Sequence, residues 1–338
     1  MAEKLKIAIV GSGAVGCYYG ARLWESGYDV MFHMRGDHLQ ASLANGLNVT
    51  SVAGDIFIPP EELKAYEDTN EMGQVDWVIL ALKSTGISAT ASLLDGLLSE
   101  KTRVFAIMNG MVDDDISRFI EGIDMGQKLP SRLSKCDAVY GGMALLCSNR
   151  IAPGYVDHSH AGKLTGSLAR SRDEGDDKAH RDAMIDLWEP VKGFEFCWDD
   201  NLVRARWTKN VWNLPFNGIS VAMNGITVDK IVNDPGLRRL AYTIMDETIS
   251  IANEDLKFHG YGSSSFLGES EKNQMMTLSD NMGPYKTSTM LSLKNREPME
   301  VKYIFRKAVD RANELNVSVP TLETIVTQIE FLQRLHGL

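Results

Sequence analysis

The chain has 338 residues, 44% of them apolar and 24% charged, and carries a net charge of −10. This length predicts two domains, and the negative charge argues against a nucleic-acid partner, because such binding depends on Lys and Arg facing phosphates. No apolar run reaches the roughly 20 residues that span a bilayer, and Met1 to Lys6 leads straight into a strand, so we expect a cytoplasmic protein with no membrane partner.

The N-terminal segment predicts one complete βαβ unit. Residues 5–10 are a β-branched run, the segment through Leu23 has a helical periodicity that Gly27 ends, and residues 29–34 read as a second strand. Further strands are predicted at 47–51 and 55–58, as a hairpin, and at 76–83 and 103–108. The apolar character of the last two is typical of a parallel sheet covered by helices on both faces.

The second half of the chain becomes helical. Residues 136–168 still favour short strands with glycines, and we expect 140–142 and 162–166 to be edge strands and turns that close the first domain. Helices are then predicted at 203–222, 236–257, 286–296, 299–315 and 321–335. The sequence therefore predicts an α/β protein: an N-terminal Rossmann domain with a doubly wound sheet over 1–180, and a C-terminal all-helical substrate domain over 181–338.

Two side-chain sets bear on assembly and on metals. The apolar residues of the last helix either pack inward or mediate a homodimer, and these are Ile325, Ile329, Leu332 and Leu335. The four cysteines are far apart in the sequence, namely Cys17, Cys136, Cys147 and Cys197. Their spacing predicts reduced, mostly buried thiols and no metal site.

The first turn carries the pattern G-x-G-x-x-G directly after a predicted strand. Gly11 would make the tight turn, Gly13 would let the backbone approach a pyrophosphate, and Gly16 would let the helix pack on the sheet. Free N–H groups at the start of that helix favour phosphate. We therefore predict a dinucleotide cofactor, rather than a purely structural turn, in contact with Gly11, Ser12, Gly13, Ala14, Val15 and Gly16.

Polar residues at the ends of three strands point to the same cofactor. The second strand ends at Arg35, whose guanidinium suits the 2′-phosphate of NADPH, where an Asp or Glu would bind the ribose of NAD. Asp29 lies too early and Asp37 just beyond, so either favours NAD only if the strand register shifts; a solvated surface arginine is the other reading. Lys83 and Asn109 end the next two strands, at the edge where open α/β sheets bind ligands.

In the second domain, four-residue steps set Lys209, Asn213 and Asn217 along one stripe of a helix. Burying such a stripe is costly without a polar partner, and a carboxylate substrate is a natural one. The alternative is that the asparagines cap or bridge the backbone where Pro215 and Gly218 break the helix.

These motifs together make the chain resemble the 2-dehydropantoate 2-reductase (ketopantoate reductase) family. The matching segments follow the family's order over nearly the whole chain: Gly11 to Gly16, Arg35, Ala81 to Ser84, Asn109-Gly110, Gly154 to His158, Trp207 to Asn217, and Ser288 to Leu291 followed by Glu300. The resemblance implies NADPH-dependent reduction of a 2-oxo acid. More specifically, the resemblance implies the reduction of 2-dehydropantoate to pantoate, a step of pantothenate and coenzyme A biosynthesis.

The resemblance also implies individual roles. Lys209 matches the general acid that protonates the carbonyl oxygen, and burial beside Lys83 would lower its pKa toward the working pH. Glu300 matches the carboxylate that accepts a hydrogen bond from the substrate hydroxyl and orients the lysine, although an ordinary helix N-terminal acid is the plain alternative. Lys83 and Asn109 match cofactor contacts, and Asn109 matches a substrate contact as well. The other substrate-binding matches are Asn213, Asn217, Asn224, Ser288 and Thr289.

The chain also departs from the family in ways that bear on the substrate. Thr289 stands where a serine is usual, Glu300 comes one residue early, and residues 301–306 replace a small, glycine-containing stretch. Pro215 and Phe216 add bulk between two asparagines. The alternatives are therefore a related reductase of another 2-oxo acid or an imine, and a non-catalytic NADPH sensor, which would not need a proton donor.

Overall fold

The computed structural model describes residues 4–173 and 175–338, so that Met1 to Glu3 and Glu174 of the predicted first domain lie outside it. The chain divides into two compact units, Met1–Met108 with Val112–Leu202, and Asn109–Met111 with Val203–Leu338. The first unit thus extends beyond the predicted boundary at residue 180. The reason is a strand at Glu195–Trp198, which pairs with the sheet of the first unit.

One mixed sheet organises the first unit. Its strands are β1 Lys6–Val10, β2 Asp29–His33, β3 Leu47–Ser51, β4 Ile56–Ile58, β5 Lys64–Tyr66, β6 Trp77–Leu80, β7 Arg103–Ala106, β8 Ala138–Ala152, β9 Tyr155–Ser171 and β10 Glu195–Trp198. Their order is β4-β3-β9-β8-β7-β6-β1-β2-β5, and β10 pairs with β9. The helices of this unit are α1 Ala14–Glu25, α2 Gly36–Asn45, α3 Thr90–Leu94, α4 Asp113–Glu121 and α5 Asp177–Trp188.

The part of the sheet from β8 to β5 is parallel, as the apolar strands predict. In the central strand β1, residues 7–10 are completely buried, because protein covers both faces. Val10 pairs with Leu80 of β6, and Leu80 pairs with Ala106 of β7. The carboxyl ends of these strands therefore meet at one edge, where the Rossmann fold binds its ligands.

The expectation of short edge strands around 140–142 and 162–166 is wrong. Both segments lie inside β8 and β9, two long antiparallel strands within the sheet. Gly142 faces Gly166 across the ladder, and a Cβ on Gly142 would lie 2.8 Å from the ring of Phe105. The glycines make room for aromatic side chains of the core and do not end the strands.

The second unit contains only helices among its described residues, as predicted. They are α6 Leu202–Ala222, α7 Val228–Asn233, α8 Pro235–Phe258, α9 Glu269–Asp280, α10 Ser288–Lys294, a π-helical turn at Lys302–Arg306 that continues into α11 Lys307–Glu314, and α12 Pro320–Leu335. Helices α7 and α9 were not predicted. None of the described helices combines the length and hydropathy that a bilayer crossing requires.

Helix α6 continues through the two residues that were expected to break it. Pro215 and Gly218 both lie inside Leu202–Ala222. A Cβ on Gly218 would come within 2.9 Å of the Ile325 side chain of α12, so this glycine permits close packing of the two helices. Ile325 and Ile329 are buried at this contact, which favours inward packing for that part of α12, while Leu335 is exposed near its end.

Candidate active site

The glycine motif of the first unit has the geometry that its three positions predict. Gly11 has φ +97°, and a Cβ on it would lie 2.8 Å from the backbone of Ala81 and Leu82. A Cβ on Gly16 would lie 2.3 Å from the Gly11 carbonyl oxygen, whereas one on Gly13 would have nothing within 4 Å. Gly11 and Gly16 are thus required by the fold, and Gly13 leaves its backbone open to a ligand.

Polar groups around this turn suit a phosphate ligand. Helix α1 begins after Gly13 with no side-chain cap and no acidic residue in its first turn, so its N-terminal N–H groups attract an anion. The Ser12 hydroxyl is buried without a hydrogen-bond partner in the protein. An orphaned buried hydroxyl beside an open backbone fits the pyrophosphate of a dinucleotide.

Arg35 lies beside the same turn. The backbone N–H of Ser12 donates to the carbonyl of His33 at 3.3 Å, which ties the end of β2 to the glycine motif. Arg35 follows two residues later, exposed, immediately before α2. Burial first, and then Arg35, lowers the pKa of the His33 imidazole. The guanidinium thus lies close enough to the end of β2 to act on His33, while Glu67 and Asp68 act on the same ring in the opposite direction. Asp37 follows Arg35 in the first turn of α2.

His38 is a residue of this region that the sequence analysis missed. Its Nδ1 accepts a hydrogen bond of 2.9 Å from the backbone N–H of Gly154, which lies in the turn between β8 and β9 with φ +76°. Burial, and to a lesser degree Arg150, lowers the pKa of His38 to about 4, so the ring is neutral near pH 7. The sequence shows a histidine three residues after Arg35, but its hydrogen-bond partner Gly154 is too distant in sequence for the contact to be predicted.

Lys83 stands at the start of a 3-10 turn after β6 and is exposed. Residues Ala81 and Leu82 before it are the ones that pack against Gly11. The chain thus places an ammonium group one residue beyond the contact with the glycine motif. A cofactor contact by Lys83 stays a prediction.

In the second unit, α6 carries Lys209, Asn213 and Asn217 one helical turn apart. Asn213 and Asn217 are 3% and 1% exposed, and Lys209 is half-buried. Just before this stripe, the Trp207 indole donates to the buried carboxylate of Asp255 at 2.7 Å. That carboxylate is held in turn by Arg311 of α11, at 2.8 Å, so the start of α6 is anchored on two other helices.

A chain of hydrogen bonds determines how the two asparagines point. The backbone N–H of Thr289 lies 3.2 Å from Asn217 Oδ1 and the Thr289 hydroxyl 2.9 Å from it. Because a backbone N–H can only donate, the Asn217 amide must turn its oxygen to Thr289 and its nitrogen to Asn213. The Asn217 Nδ2 then donates to Asn213 Oδ1 at 3.4 Å. Asn213 Nδ2 is left buried without a partner.

Among the predicted substrate residues, this network separates those that orient Asn213 from Asn213 itself. Asn217 and Thr289 bond to each other, and the exposed Ser288 adds a bond of 3.4 Å to the same Asn217 oxygen. These three orient Asn213, whose amide nitrogen remains available to a ligand. Asn224 lies apart, in the exposed turn after α6 with φ +60°, and its substrate contact stays a prediction.

Two further predicted residues lie together in this unit. Asn109 Nδ2 is 3.5 Å from Glu300 Oε2, a contact at the limit of hydrogen bonding. Glu300 is only 7% exposed and precedes the helical turn that begins at Val301. Asn109 follows β7 in sequence but clusters with the second unit.

Lys209 has an unusually acidic ammonium group. Burial is the main cause that lowers its pKa to about 7, the Arg206 guanidinium lowers it further, and Glu300 opposes both by raising it. The cation within the same unit that lowers it is Arg206, one helical turn away and 3% exposed. A contribution from Lys83 stays a prediction. An ammonium with a pKa near neutrality is suited to donate a proton to a carbonyl oxygen.

Known proteins match both halves of the chain. The family model described as Ketopantoate reductase PanE/ApbA matches residues 7–169, and its C-terminal counterpart matches residues 201–333. A 2-dehydropantoate 2-reductase of Nostoc sp. is 29% identical over 331 residues, which are 97% of this chain and 95% of that protein. The crystal structure of 2-dehydropantoate 2-reductase from Geobacter metallireducens is similar at a TM-score of 0.81 and 32% identity, covering 97% of this chain and 99% of that one.

A more distant neighbour shares the fold alone. It is a D-mandelate dehydrogenase in a ternary complex with NADH and anilino(oxo)acetate. The TM-score is 0.79 and the identity 19%, and the match covers 99% of this chain and 100% of that one. The two family models, in contrast, together match most of the sequence, from the glycine turn in the first unit to the last helix. This chain belongs to the ketopantoate reductase family, whose members are oxidoreductases dependent on NADH or NADPH.

Proposed function

We propose that this protein reduces a 2-oxo acid to the 2-hydroxy acid with NADPH, and that 2-dehydropantoate is its substrate. The observation that carries the proposal is Lys209, whose ammonium has its pKa lowered by burial to about 7 and so suits a general acid. The unpartnered amide nitrogen of Asn213 and the buried Glu300 lie in the same unit and supply the donor and acceptor that a hydroxy acid needs. A non-catalytic sensor would have no use for such a proton donor.

The residues of the first unit fit NADPH. The backbone at Gly13 and the start of α1 would hold the pyrophosphate, and Arg35 would pair with the 2′-phosphate. When bound, NADPH supplies the hydride that reduces carbon 2 of the oxo acid. Arg35, two residues beyond the end of β2, is the residue that makes the phosphorylated cofactor the better ligand.

The residues of the second unit account for the proton. Lys209 Nζ donates a proton to the carbonyl oxygen as that oxygen gains the electron pair of the C=O double bond, and a hydroxyl group forms. Asn213 Nδ2 donates to the substrate carboxylate, and Glu300 accepts from the hydroxyl that 2-dehydropantoate already carries. Lys209 is left neutral and takes its next proton from water. Hydride on carbon and proton on oxygen balance the reduction.

The proposed function is tested by following NADPH oxidation with 2-dehydropantoate and with a panel of other 2-oxo acids and imines. Fast turnover of 2-dehydropantoate with clear selectivity over the panel is expected. Turnover of a different 2-oxo acid would retain the chemistry and reassign the substrate, which would point to Thr289 and to the buried residues Tyr303 to Phe305. Binding of NADPH with no turnover of any compound would contradict the proposal.

The Arg35→Gln variant tests cofactor choice. Losing the charged hydrogen bonds to the 2′-phosphate should raise the NADPH Kd roughly tenfold to a hundredfold, while the NADH Kd stays nearly constant. Both constants are measured by fluorescence titration. Arg239→Gln, a change at another exposed arginine in the helical unit, is the control and should leave both unchanged. Equal weakening of both cofactors would refute a phosphate-specific role.

Asn217→Asp tests the orientation of the asparagine pair. The carboxylate keeps the acceptor for Thr289 and Ser288 but turns an oxygen toward Asn213 Oδ1, so the Asn213 amide should flip and present its oxygen to the substrate. We expect KM for the 2-oxo acid to rise roughly tenfold or more, because an acceptor then faces a carboxylate. NADPH affinity should not change. An unaltered KM would show that Asn213 does not bind the carboxylate.

A further inference from the structure

The loop residues Asn109–Met111 belong to the second unit, although their neighbours on both sides in sequence belong to the first. Asn109 is the residue of this loop whose amide meets the Glu300 carboxylate, at 3.5 Å. A contact at the limit of hydrogen bonding does not hold a loop by itself. Other groups must therefore determine where Asn109 lies.

The first of these groups is the π-helical turn at Lys302–Arg306, which begins two residues after Glu300. A π turn replaces the regular four-residue spacing of helical hydrogen bonds, and such turns are frequent at functional sites. Here the Tyr303 carbonyl accepts a bond of 3.0 Å from the backbone N–H of Met111, outside the helix. Gly110 permits this approach, because its φ is +85° and a Cβ on it would lie 2.3 Å from the Tyr303 oxygen.

The second group is Lys307, in the first turn of α11. Its ammonium donates a hydrogen bond of 2.8 Å to the Met111 carbonyl oxygen. It also lies 4.7 Å from the centre of the Tyr303 ring, whose face attracts a cation. Met111 is thus held from both sides of its backbone, by Tyr303 through its N–H and by Lys307 through its carbonyl.

A second lysine provides a comparison within the same turn. Lys302 is exposed, and its ammonium lies 5.0 Å from the same Tyr303 ring. Both lysines therefore make a cation–π contact with that ring. The bond to Met111 distinguishes Lys307 from Lys302.

We propose that Lys307 is a positioning residue for the reaction proposed above, on which this inference rests. By holding the Met111 carbonyl, its ammonium keeps Asn109 against Glu300. Glu300 then stays where it supports the protonated form of Lys209 and receives the substrate hydroxyl. Lys307 acts through the loop and does not itself touch the substrate.

The test compares Lys307→Met, Lys307→Arg and Lys302→Met in the full-length protein. Lys307→Met keeps the aliphatic stem but removes the donor, and kcat should fall roughly tenfold to a hundredfold with little change in the NADPH Kd. The descending limb of the pH profile should move to lower pH, because a displaced Glu300 no longer raises the Lys209 pKa. Lys307→Arg, which can still donate, should restore most of the activity, and Lys302→Met should match the wild type.

Hydrogen exchange at the Met111 amide, measured without substrate, tests the positioning role of Lys307 independently of the proposed function. Faster exchange in Lys307→Met but not in Lys302→Met supports the positioning role even if the wild type turns over no 2-oxo acid. An unchanged pH profile and unchanged exchange in Lys307→Met would overturn it. Equal losses in Lys302→Met and Lys307→Met would also overturn it, since the shared ring contact would then be responsible.

Discussion

Lys209→Met is expected to lower kcat for 2-oxo acid reduction roughly a hundredfold to ten-thousandfold, the range of a lost general acid. The thioether has nearly the length of the lysine stem but no proton to give, so the carbonyl oxygen must take its proton from water. NADPH affinity should stay close to wild type, because Lys209 lies on α6 and the glycine motif lies on another unit. Stopped-flow turnover and NADPH titration measure the two effects separately.

The pH dependence of kcat tests whether Lys209 is the titrating group. Its pKa of about 7 means that the acid form is present below that pH and is lost as pH rises through it, so reduction should slow on the alkaline side. Arg206→Met removes a neighbouring positive charge and should move this limb to higher pH. Glu300→Gln removes a negative charge and should move it to lower pH.

Lys230→Met serves as the matched control, because the Lys230 side chain is 70% exposed on α7. It should leave kcat and the pH profile unaltered. A Lys209→Met enzyme with wild-type turnover would remove the acid role from this lysine. Shifts of the same sign in Arg206→Met and Glu300→Gln would show that the titrating group is elsewhere.

Alanine substitutions at two glycines of the motif should separate folding from cofactor binding. In Gly16→Ala the new methyl group would lie 2.3 Å from the Gly11 carbonyl, so α1 must move away from the sheet. Such overpacking costs roughly 1–3 kcal/mol, and each kcal/mol lowers Tm by about 2–4 °C in a domain of the size of the first unit. In Gly13→Ala the methyl group meets nothing within 4 Å and φ is −78°, so Tm should not change.

Cofactor binding, unlike Tm, should be sensitive to the Gly13→Ala substitution. The Gly13→Ala methyl group occupies the space through which the pyrophosphate approaches the backbone, and the NADPH Kd should rise at least about tenfold. Thermal denaturation and NADPH titration on the same samples make the comparison. If Gly13→Ala bound NADPH normally, the pyrophosphate would not lie at this turn.

The features that local patterns determine were predictable from sequence. The run from Lys6 to Val10, the glycine motif and the periodic segment after it specify β1 and α1 through neighbours only a few residues apart. The stripe of Lys209, Asn213 and Asn217 follows in the same way from the period of one helix. For the same reason, the helical second unit could be anticipated before its packing was known.

Features that depend on distant residues were not predictable. Glycines in β8 and β9 suggest turns until the structure shows the ring of Phe105 beside Gly142 and the ring of Phe196 beside Gly166. The cation that lowers the Lys209 pKa is Arg206, whose burial no local pattern indicates. The orientation of Asn213 depends on a backbone N–H of Thr289, which is brought to α6 only by tertiary packing.

The most direct test of the account follows the transferred hydride. The protein is incubated with 2-dehydropantoate and NADPH deuterated at either face of nicotinamide carbon 4, and the product is analysed by mass spectrometry and NMR. The account predicts pantoate with deuterium on carbon 2 from one of the two labelled cofactors, and a rate that falls in Lys209→Met. NADPH that stays unoxidised, or pantoate that carries no label from either cofactor, would contradict it.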